Sequence, residues 1–164
     1  MVVKGALHDI EYAVRTDSTM PAKEFLQALK AGIWEQDPDA TSLPSDAQIS
    51  DYHKFLDACK QLATDGYPTH ARQVNALNDG VWEFKQGSKR LSWYDTDGRG
   101  GYAPKVRYHD ASESPYPDDI YWWFPDFDLV IRLGHAFPKI GARTESLDID
   151  ETLAVRKEDL SHDK

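Results

Sequence analysis

Hydrophobic and polar residues alternate most regularly between residues 77 and 94, in the sequence LNDGVWEFKQGSKRLSWY. Two runs rich in aromatic residues, 81–85 and 90–94, are separated by a short polar break that contains Gly87. A glycine in such a break is typical of a tight turn between antiparallel strands. The pattern therefore predicts a β-hairpin with its turn at residues 86–89.

The alternation also sorts the hairpin side chains onto two faces, because successive residues of a strand point to opposite sides. One face carries large apolar side chains, namely Trp82, Phe84, Leu91 and Trp93. The other face, which we call the mixed face, carries Val81, Glu83, Lys85, Arg90, Ser92 and Tyr94. Antiparallel sheets commonly bury one face and leave the other in water, so we expect the mixed face to be solvated.

The chain before the hairpin predicts a first strand at residues 10–15 and then two helices. The first helix spans residues 20–36, and its apolar positions at helical spacing are Phe25, Leu26, Leu29 and Ile33. The second helix begins near Ser45 and stops at Gly66. Its apolar stripe consists of Ile49, Tyr52, Leu56, Cys59 and Leu62 or Ala63.

The chain after the hairpin predicts a central strand at residues 127–137. Strict alternation places His135 on the same side as Leu133, where it would be a buried histidine. A bulge at Gly134 would instead re-aim His135 to the other face, and both alternatives are open. The last segment, residues 147–160, predicts a helix whose inward-facing residues are Ile149, Leu153 and Leu160.

These elements predict one α+β domain over residues 1–164, with an aromatic-rich insertion at about residues 95–126. We expect a short strand at residues 105–109 within that insertion. Its aromatic run at residues 121–124 either packs back over the sheet or forms an exposed recognition patch. Its histidine and aspartates lack the ligand spacing of a zinc site, so we expect no metal and no other cofactor. The residues in question are His109, Asp110, Asp118 and Asp119.

Charge is distributed unevenly along the chain, whose formal net charge is −9. Residues 66–94 carry four basic and two acidic side chains, and residues 129–144 carry three basic and none acidic. The two stretches together contribute +5, so the remainder carries −14. An acidic protein is a poor general binder of nucleic acid, but a local basic patch on it can still contact phosphates.

Three features of the sequence bear on the cellular location of the protein. No apolar run approaches the length that spans a membrane, and no basic-then-apolar secretory leader is present. The single cysteine, Cys59, has no partner for an internal disulfide, which fits a reducing compartment. We therefore expect a cytoplasmic protein that does not bind membranes.

Three stretches in order carry a family resemblance. VRTDSTMPAKEFLQAL at residues 14–29 matches an opening strand and helix, and the hairpin at residues 77–94 matches a Glu-aliphatic-basic strand facing an arginine-bearing strand. LVIRLGHAFPKIGARTES at residues 129–146 matches a strand that ends in His-x-Phe-x-Lys. Together they resemble the RelE/HigB-like toxin family of bacterial type II toxin–antitoxin systems, in its phage-derived HigB-like branch.

This resemblance implies a RelE-like α+β fold, which is a small twisted antiparallel sheet with two N-terminal helices and a short C-terminal helix. It also implies an endoribonuclease, an mRNA interferase that cleaves mRNA on the ribosome without a metal ion. The partner it implies is a cognate antitoxin with a helix-turn-helix DNA-binding fold. The family positions for catalysis fall here on Lys85, Arg90, His135 and Lys139.

The chemistry of metal-free RNA cleavage suits those residue types. It needs a base for the 2′-hydroxyl proton, cations against the charge of the phosphorane, and an acid for the leaving 5′-oxygen. Arg90 is the first choice for the phosphate, since guanidinium is planar and always charged. Lys85 or His135 is the candidate base or acid. Further contacts to RNA are predicted for Arg72, Lys89, Tyr94, Arg132 and Arg143.

An alternative reading of the same scaffold is a non-catalytic protein-binding module. The −14 charge of the remainder and the long insertion favour it. Ile140 also stands where the family motif has a second lysine, and Lys85 stands where arginine is usual. A metal-dependent hydrolase that uses the histidine and aspartates of the insertion is a third and weaker candidate.

Overall fold

The computed structural model describes residues 1–68, 70–141 and 146–163, and within them the protein has a small α+β fold with a six-stranded sheet. The strands are β1 (Val3–Lys4), β2 (Asp9–Tyr12), β3 (Val74–Ala76), β4 (Trp82–Gln86), β5 (Lys89–Thr96) and β6 (Val130–Pro138). The helices are α1 (Pro21–Ala31), α2 (Asp46–Asp65) and α3 (Ser146–His162). Short 3-10 helices occur at Ala71–Gln73, Asn78–Gly80 and Ala111–Glu113.

The strand order is β1-β2-β6-β5-β4-β3, and the sheet is mixed. The prediction of a purely antiparallel sheet is wrong at one pair, because β2 runs parallel to β6. A parallel pair needs a long crossover between its strands. Here that crossover contains α1, α2 and the hairpin, so β6 returns to the centre of the sheet between β2 and β5.

The helix predictions hold better for α2 than for α1. Ser45 caps α2 by accepting a hydrogen bond from the Gln48 N–H, and Gly66 ends it in the left-handed conformation with φ +82°. The first helix is shorter than predicted, since Gly32 (φ +73°) ends it and Ile33 lies outside it with an exposed side chain.

The predicted hairpin and its apolar face are confirmed. β4 pairs with β5 across a two-residue connection, with Phe84 opposite Leu91 and Trp82 opposite Trp93. The Trp82 and Trp93 rings stack with centroids 5.7 Å apart. This face packs against α1 and α2, which contribute to the main core Phe25, Leu26, Leu29, Phe55, Cys59 and Leu62.

The prediction that the mixed face is solvated is wrong. Glu83, Ser92 and Tyr94 are completely buried because α3 packs on this side of the sheet. The buried positions of α3 are Thr152, Val155 and Asp159, so the layer between α3 and the sheet is largely polar. Of the three positions predicted to face inward, Leu160 packs against the small core of Ala13, Tyr94 and Val155. Ile149 and Leu153 are only partly buried.

A bulge re-aims His135, as one of the two open alternatives predicted. Leu91 pairs with Ala136 but Trp93 pairs with Leu133, so β6 has one extra residue opposite Ser92. The extra residue reverses the alternation, and the His135 side chain reaches Asp148 of α3. Glycine suits position 134 because it has no side chain. A Cβ there would lie only 3.2 Å from the Ser92 hydroxyl oxygen, which is a tight contact.

The insertion between β5 and β6 packs its aromatic residues over the apolar face. The Phe124 ring meets the Trp82 indole edge-on, with ring centroids 5.1 Å apart. The Trp123 ring stacks on the same indole, with centroids 6.4 Å apart. The packing alternative is therefore confirmed for these two residues. The strand predicted at residues 105–109 is wrong, since those residues have no regular secondary structure.

In the residues that the structure describes, each helix is too short or too polar to span a lipid bilayer.

Candidate active site

Strands β4, β5 and β6 bring three of the predicted catalytic residues to the α3 side of the sheet, near the hairpin turn. The fourth, Lys139, directly follows β6. Lys85 of β4 pairs directly with Arg90 of β5, and Arg90 pairs with Phe137 of β6. His135 lies on the same side, with its ring stacked on Phe137 at 5.5 Å. Lys139 follows β6, and its charge acts on the pKa of Lys85. We call these side chains the cationic cluster, which consists of Lys85, Arg90, His135 and Lys139.

Arg90 is held in place by the hairpin turn. Its Nη1 donates hydrogen bonds to the carbonyl oxygens of Gly87 at 2.6 Å and Lys89 at 2.9 Å. Its Nε lies 3.7 Å from Oε1 of Glu83, whose side chain is fully buried. Burial lowers the pKa of Arg90, and the charge of Glu83 opposes that shift. The guanidinium is therefore a fixed cation that meets a ligand with little loss of side-chain entropy.

The surroundings of Lys85 lower the pKa of its amine. Burial is the main cause that lowers its pKa, and the charges of Arg90 and Lys139 lower it further. The charge of Glu83 acts in the opposite direction but does not cancel the shift. A lysine with a lowered pKa has a larger neutral fraction near pH 7, and only the neutral amine accepts a proton.

His135 is positioned by contacts on both its backbone and its ring. Its backbone N–H donates to Oγ of Ser92 at 2.9 Å. Its Nε2 lies 3.3 Å from Oδ1 of Asp148 near the start of α3. The His135 side chain is half-buried, so part of it is open to a ligand that lies beside the other residues of the cationic cluster.

Lys89 belongs to the opposite side of the sheet, and its predicted RNA contact is corrected. Its Nζ forms ion pairs with Asp37 at 3.1 Å and Asp51 at 2.9 Å, and the side chain is almost completely buried. Burial alone would lower the pKa of Lys89, but the hydrogen bonds that Lys89 donates to the two carboxylates raise its pKa overall. Lys89 therefore ties the hairpin to the loop before α2 and to α2 itself.

Tyr94 and Arg132 are also corrected, because both are buried beneath α3. The Tyr94 hydroxyl donates to Oδ2 of Asp159 at 2.6 Å, and burial raises the pKa of Tyr94. Arg132 donates to Asp159 at 2.9 Å and to Asp163 at 3.0 Å, and it also pairs with Glu11. Neither side chain has a surface that RNA can contact, so both are structural.

Arg72 is exposed and lies next to the cationic cluster. It occupies the 3-10 helix Ala71–Gln73 and lines a groove of about 620 Å³ that also contains Lys85. The sequence predicts that Arg72 contacts RNA, but it predicts neither this groove nor its other walls. Those walls include Gln73, Gln86, Ile120 and Tyr121. Arg143 lies outside the described residues.

A second cavity, of about 420 Å³, lies on the other side of Tyr121 and was not predicted. Its aromatic lining consists of Tyr67, Tyr116, Tyr121, Phe124 and Phe127. Its acidic lining consists of Asp65, Asp119 and Asp126. Tyr121 therefore lines both cavities, and the charged residues around it are basic in the groove with Lys85 and acidic in the second cavity.

In the part of the chain that the structure describes, no three histidine, cysteine, aspartate or glutamate side chains are grouped so that they would hold a metal ion. Cys59 is completely buried, and burial raises the pKa of its thiol to about 12, so it is not a nucleophile.

Comparison of the sequence with models of known protein families gives no match, and comparison with curated proteins gives none either.

Proposed function

We propose that this protein is the toxin of a type II toxin–antitoxin system and acts as a metal-independent endoribonuclease on mRNA in the ribosome. The observation that carries the proposal is the convergence of Lys85, Arg90, His135 and Lys139 on one face at one end of the sheet. These residues come from two stretches, 85–90 and 135–139, that lie 45 residues apart in the sequence.

The proposed reaction is an in-line transfer within the RNA backbone. Neutral Lys85 accepts the proton of a 2′-hydroxyl, and the 2′-oxygen attacks the adjacent phosphorus. The bond from phosphorus to the 5′-oxygen breaks, and protonated His135 gives its proton to that oxygen. The products are a 2′,3′-cyclic phosphate and a free 5′-hydroxyl.

Arg90 and Lys139 have the electrostatic role in this mechanism. The phosphorane carries more negative charge than the ground-state phosphodiester, so cations fixed beside it favour the transition state. Arg90 is held by two carbonyl oxygens before any ligand arrives. Preorganisation of this kind removes the cost of reorienting the cation during the reaction.

An antitoxin would act on the same cluster. The proposed partner is a helix-turn-helix DNA-binding protein that places carboxylates or bulk over the cationic cluster and keeps mRNA out. The acidic remainder of the chain, at −14, limits non-specific attraction to nucleic acid. Cleavage would then depend on the ribosome to present the mRNA in the cytoplasm.

The experiment is expression from a tightly repressed promoter in bacteria, with mapping of mRNA 5′ ends. The wild-type chain should arrest growth and create new ends within codons. A Lys85→Ala/Arg90→Ala variant should do neither. Lys23→Ala/Arg99→Ala is the matched control, because it removes two exposed cations elsewhere and should behave as wild type. Normal growth and intact mRNA with folded wild-type protein would overturn the proposal in that host.

A second candidate is the non-catalytic protein-binding module, and the acidic aromatic cavity favours it. Aromatic faces and carboxylates together suit a basic side chain, through cation–π contact and ion pairing. The occupant would be a lysine or arginine of a protein partner. This candidate predicts no cleavage by the wild-type chain and binding of a basic peptide that Asp119→Asn/Asp126→Asn weakens.

A further inference from the structure

The groove beside Lys85 is created by the short length of β3. β3 pairs with Trp82, Glu83 and Phe84 and goes no further along β4. The chain that precedes β3 turns away into the 3-10 helix Ala71–Gln73, so Lys85 and Gln86 extend past the end of β3. The insertion supplies the opposite wall with Ile120 and Tyr121, and the enclosed volume is about 620 Å³.

The lining of this groove suits a nucleotide. Arg72 and Lys85 offer positive charge for phosphate, and among the described residues no carboxylate lines the groove. Gln73 and Gln86 offer amide donors and acceptors of the kind that pair with base edges. Tyr121 adds an aromatic ring, and bases stack on such rings with little sequence preference.

The side-chain oxygen of Gln73 lacks a hydrogen-bond donor among the described residues. Its Oε1 is buried, and in the described part of the chain it accepts no hydrogen bond. A buried acceptor without a donor costs free energy, and native proteins usually satisfy such atoms. Rotation of the Gln73 amide toward the groove would bring this oxygen within reach of the exocyclic amino group of a base.

Tyr121 is fixed in a position that favours stacking. Its ring stacks on Tyr67 with centroids 5.0 Å apart and an interplanar angle of 25°. Beside it, Ile120 is 81% exposed, which is unusual for a large aliphatic side chain. The two residues thus place an aromatic ring and an exposed aliphatic side chain in the lining of the cationic groove.

We propose that this groove binds the nucleotide next to the scissile phosphate of single-stranded RNA. Arg72 contacts its phosphate, Gln73 reads the edge of its base, and Tyr121 with Ile120 contacts the face of the base. The inference rests on the proposed function, since Lys85 lines the groove and also belongs to the cationic cluster. It gives the insertion a role in substrate selection.

The test is a titration of isotope-labelled protein, followed by amide NMR, with trinucleotides whose 2′-hydroxyls are methylated so that they are not cleaved. We expect shifts at residues 71–73, 85–86 and 120–121. Arg72→Ala and Tyr121→Ala should each weaken binding by about tenfold. The controls Arg99→Ala and Tyr108→Ala remove the same residue types at positions of the insertion that do not line the groove, and they should bind as wild type. Melting temperatures establish that each variant is folded.

Cleavage mapping separates this inference from the proposed function. Gln73→Ala should change which base flanks the cuts while total cleavage continues. If wild-type protein cuts mRNA but the Arg72, Gln73 and Tyr121 variants cut the same sites at the same rate, the groove inference is wrong and the function stands. If RNA binds in the groove but mRNA stays intact, the function is wrong, and the groove is an RNA-binding site with no scissile phosphate beside it. Absence of any shift in the groove at millimolar RNA overturns the inference.

Discussion

Lys85 and Arg90 lie directly opposite each other on β4 and β5, so two half-buried cations form a cross-strand pair. Like charges in that arrangement destabilise a sheet. Glu83 offsets part of the repulsion from 3.7 Å, yet burial and the neighbouring cations still lower the pKa of Lys85. A pair that costs stability fits a site that is kept for its chemistry.

Neutralising Lys85 is therefore expected to stabilise the protein. A lysine with a lowered pKa in the folded state destabilises that state at neutral pH. The penalty is fully present below the folded pKa and is lost as pH rises from there to the ordinary value of 10.5. Lys85→Met keeps the apolar stem and should raise the free energy of unfolding by about 0.5 kcal/mol at pH 7.

Urea denaturation measures this change, with Lys23→Met on the exposed side of α1 as a control that should shift little. The stabilised Lys85→Met protein should have lost its RNA cleavage. A clear fall in stability would contradict the description of Lys85 as a strained cation.

The pH dependence of cleavage should report the ionisation of Lys85. If Lys85 is the base, the rate rises with pH as the amine loses its proton, with a midpoint below the ordinary value of 10.5. Lys139→Gln removes one of the charges that lower the pKa of Lys85, so it should move that midpoint to higher pH. Rates on ribosomes programmed with a defined mRNA measure both profiles. A midpoint that Lys139→Gln leaves unchanged, or moves to lower pH, would exclude this assignment.

Asp159 should be the most sensitive position of α3. Its buried carboxylate accepts hydrogen bonds from the Tyr94 hydroxyl, the Arg132 guanidinium and the backbone N–H of Val14. Asp159→Ala leaves a buried cation with less compensation, and we expect a loss of about 3 kcal/mol in unfolding free energy. Asp150→Ala, at an exposed position of the same helix, should cost far less. Equal effects of the two substitutions would show that α3 is not anchored through Asp159.

Acid should weaken the attachment of α3 through Glu158. Hydrogen bonds from Arg15, and then from Thr16, lower the pKa of Glu158 from 4.5 to about 2. A lowered carboxyl pKa contributes stability that is present above pH 4.5 and is lost as pH falls toward 2.

Hydrogen exchange of α3 amides should therefore speed up over that interval in wild-type protein. Glu158→Gln should exchange faster already at pH 6, and it should lack this part of the acid response. Identical exchange in the two proteins at pH 6 would mean that the Arg15–Glu158 pair does not hold the helix.

The sequence predicts those parts of the fold that depend on local patterns. Alternation in the hairpin identifies the face of Trp82 and Trp93, and the cap at Ser45 and the glycine at position 66 mark the ends of α2. The mixed face could not be assigned correctly, because the α3 residues that cover it include Thr152 and Asp159 and form no apolar stripe.

Local sequence patterns also predict part of the candidate site. Strand register brings Lys85 and Arg90 together, and register follows from the turn. The partners of Lys89 and Arg132 come from distant segments, and nothing in the local sequence indicates them. The groove beside Lys85 depends on where β3 ends and on how the insertion folds back, and both are long-range features.

The most direct test of the cationic cluster uses purified protein on ribosomes programmed with one mRNA. Primer extension locates the cut, and analysis of the new 3′ end identifies its chemistry. Our account predicts a cut within the codon in the A site, a 2′,3′-cyclic phosphate at the new end, and a loss of about a hundredfold or more in rate for Arg90→Ala. Intact mRNA with folded wild-type protein, or cleavage by Arg90→Ala at the wild-type rate, would contradict it.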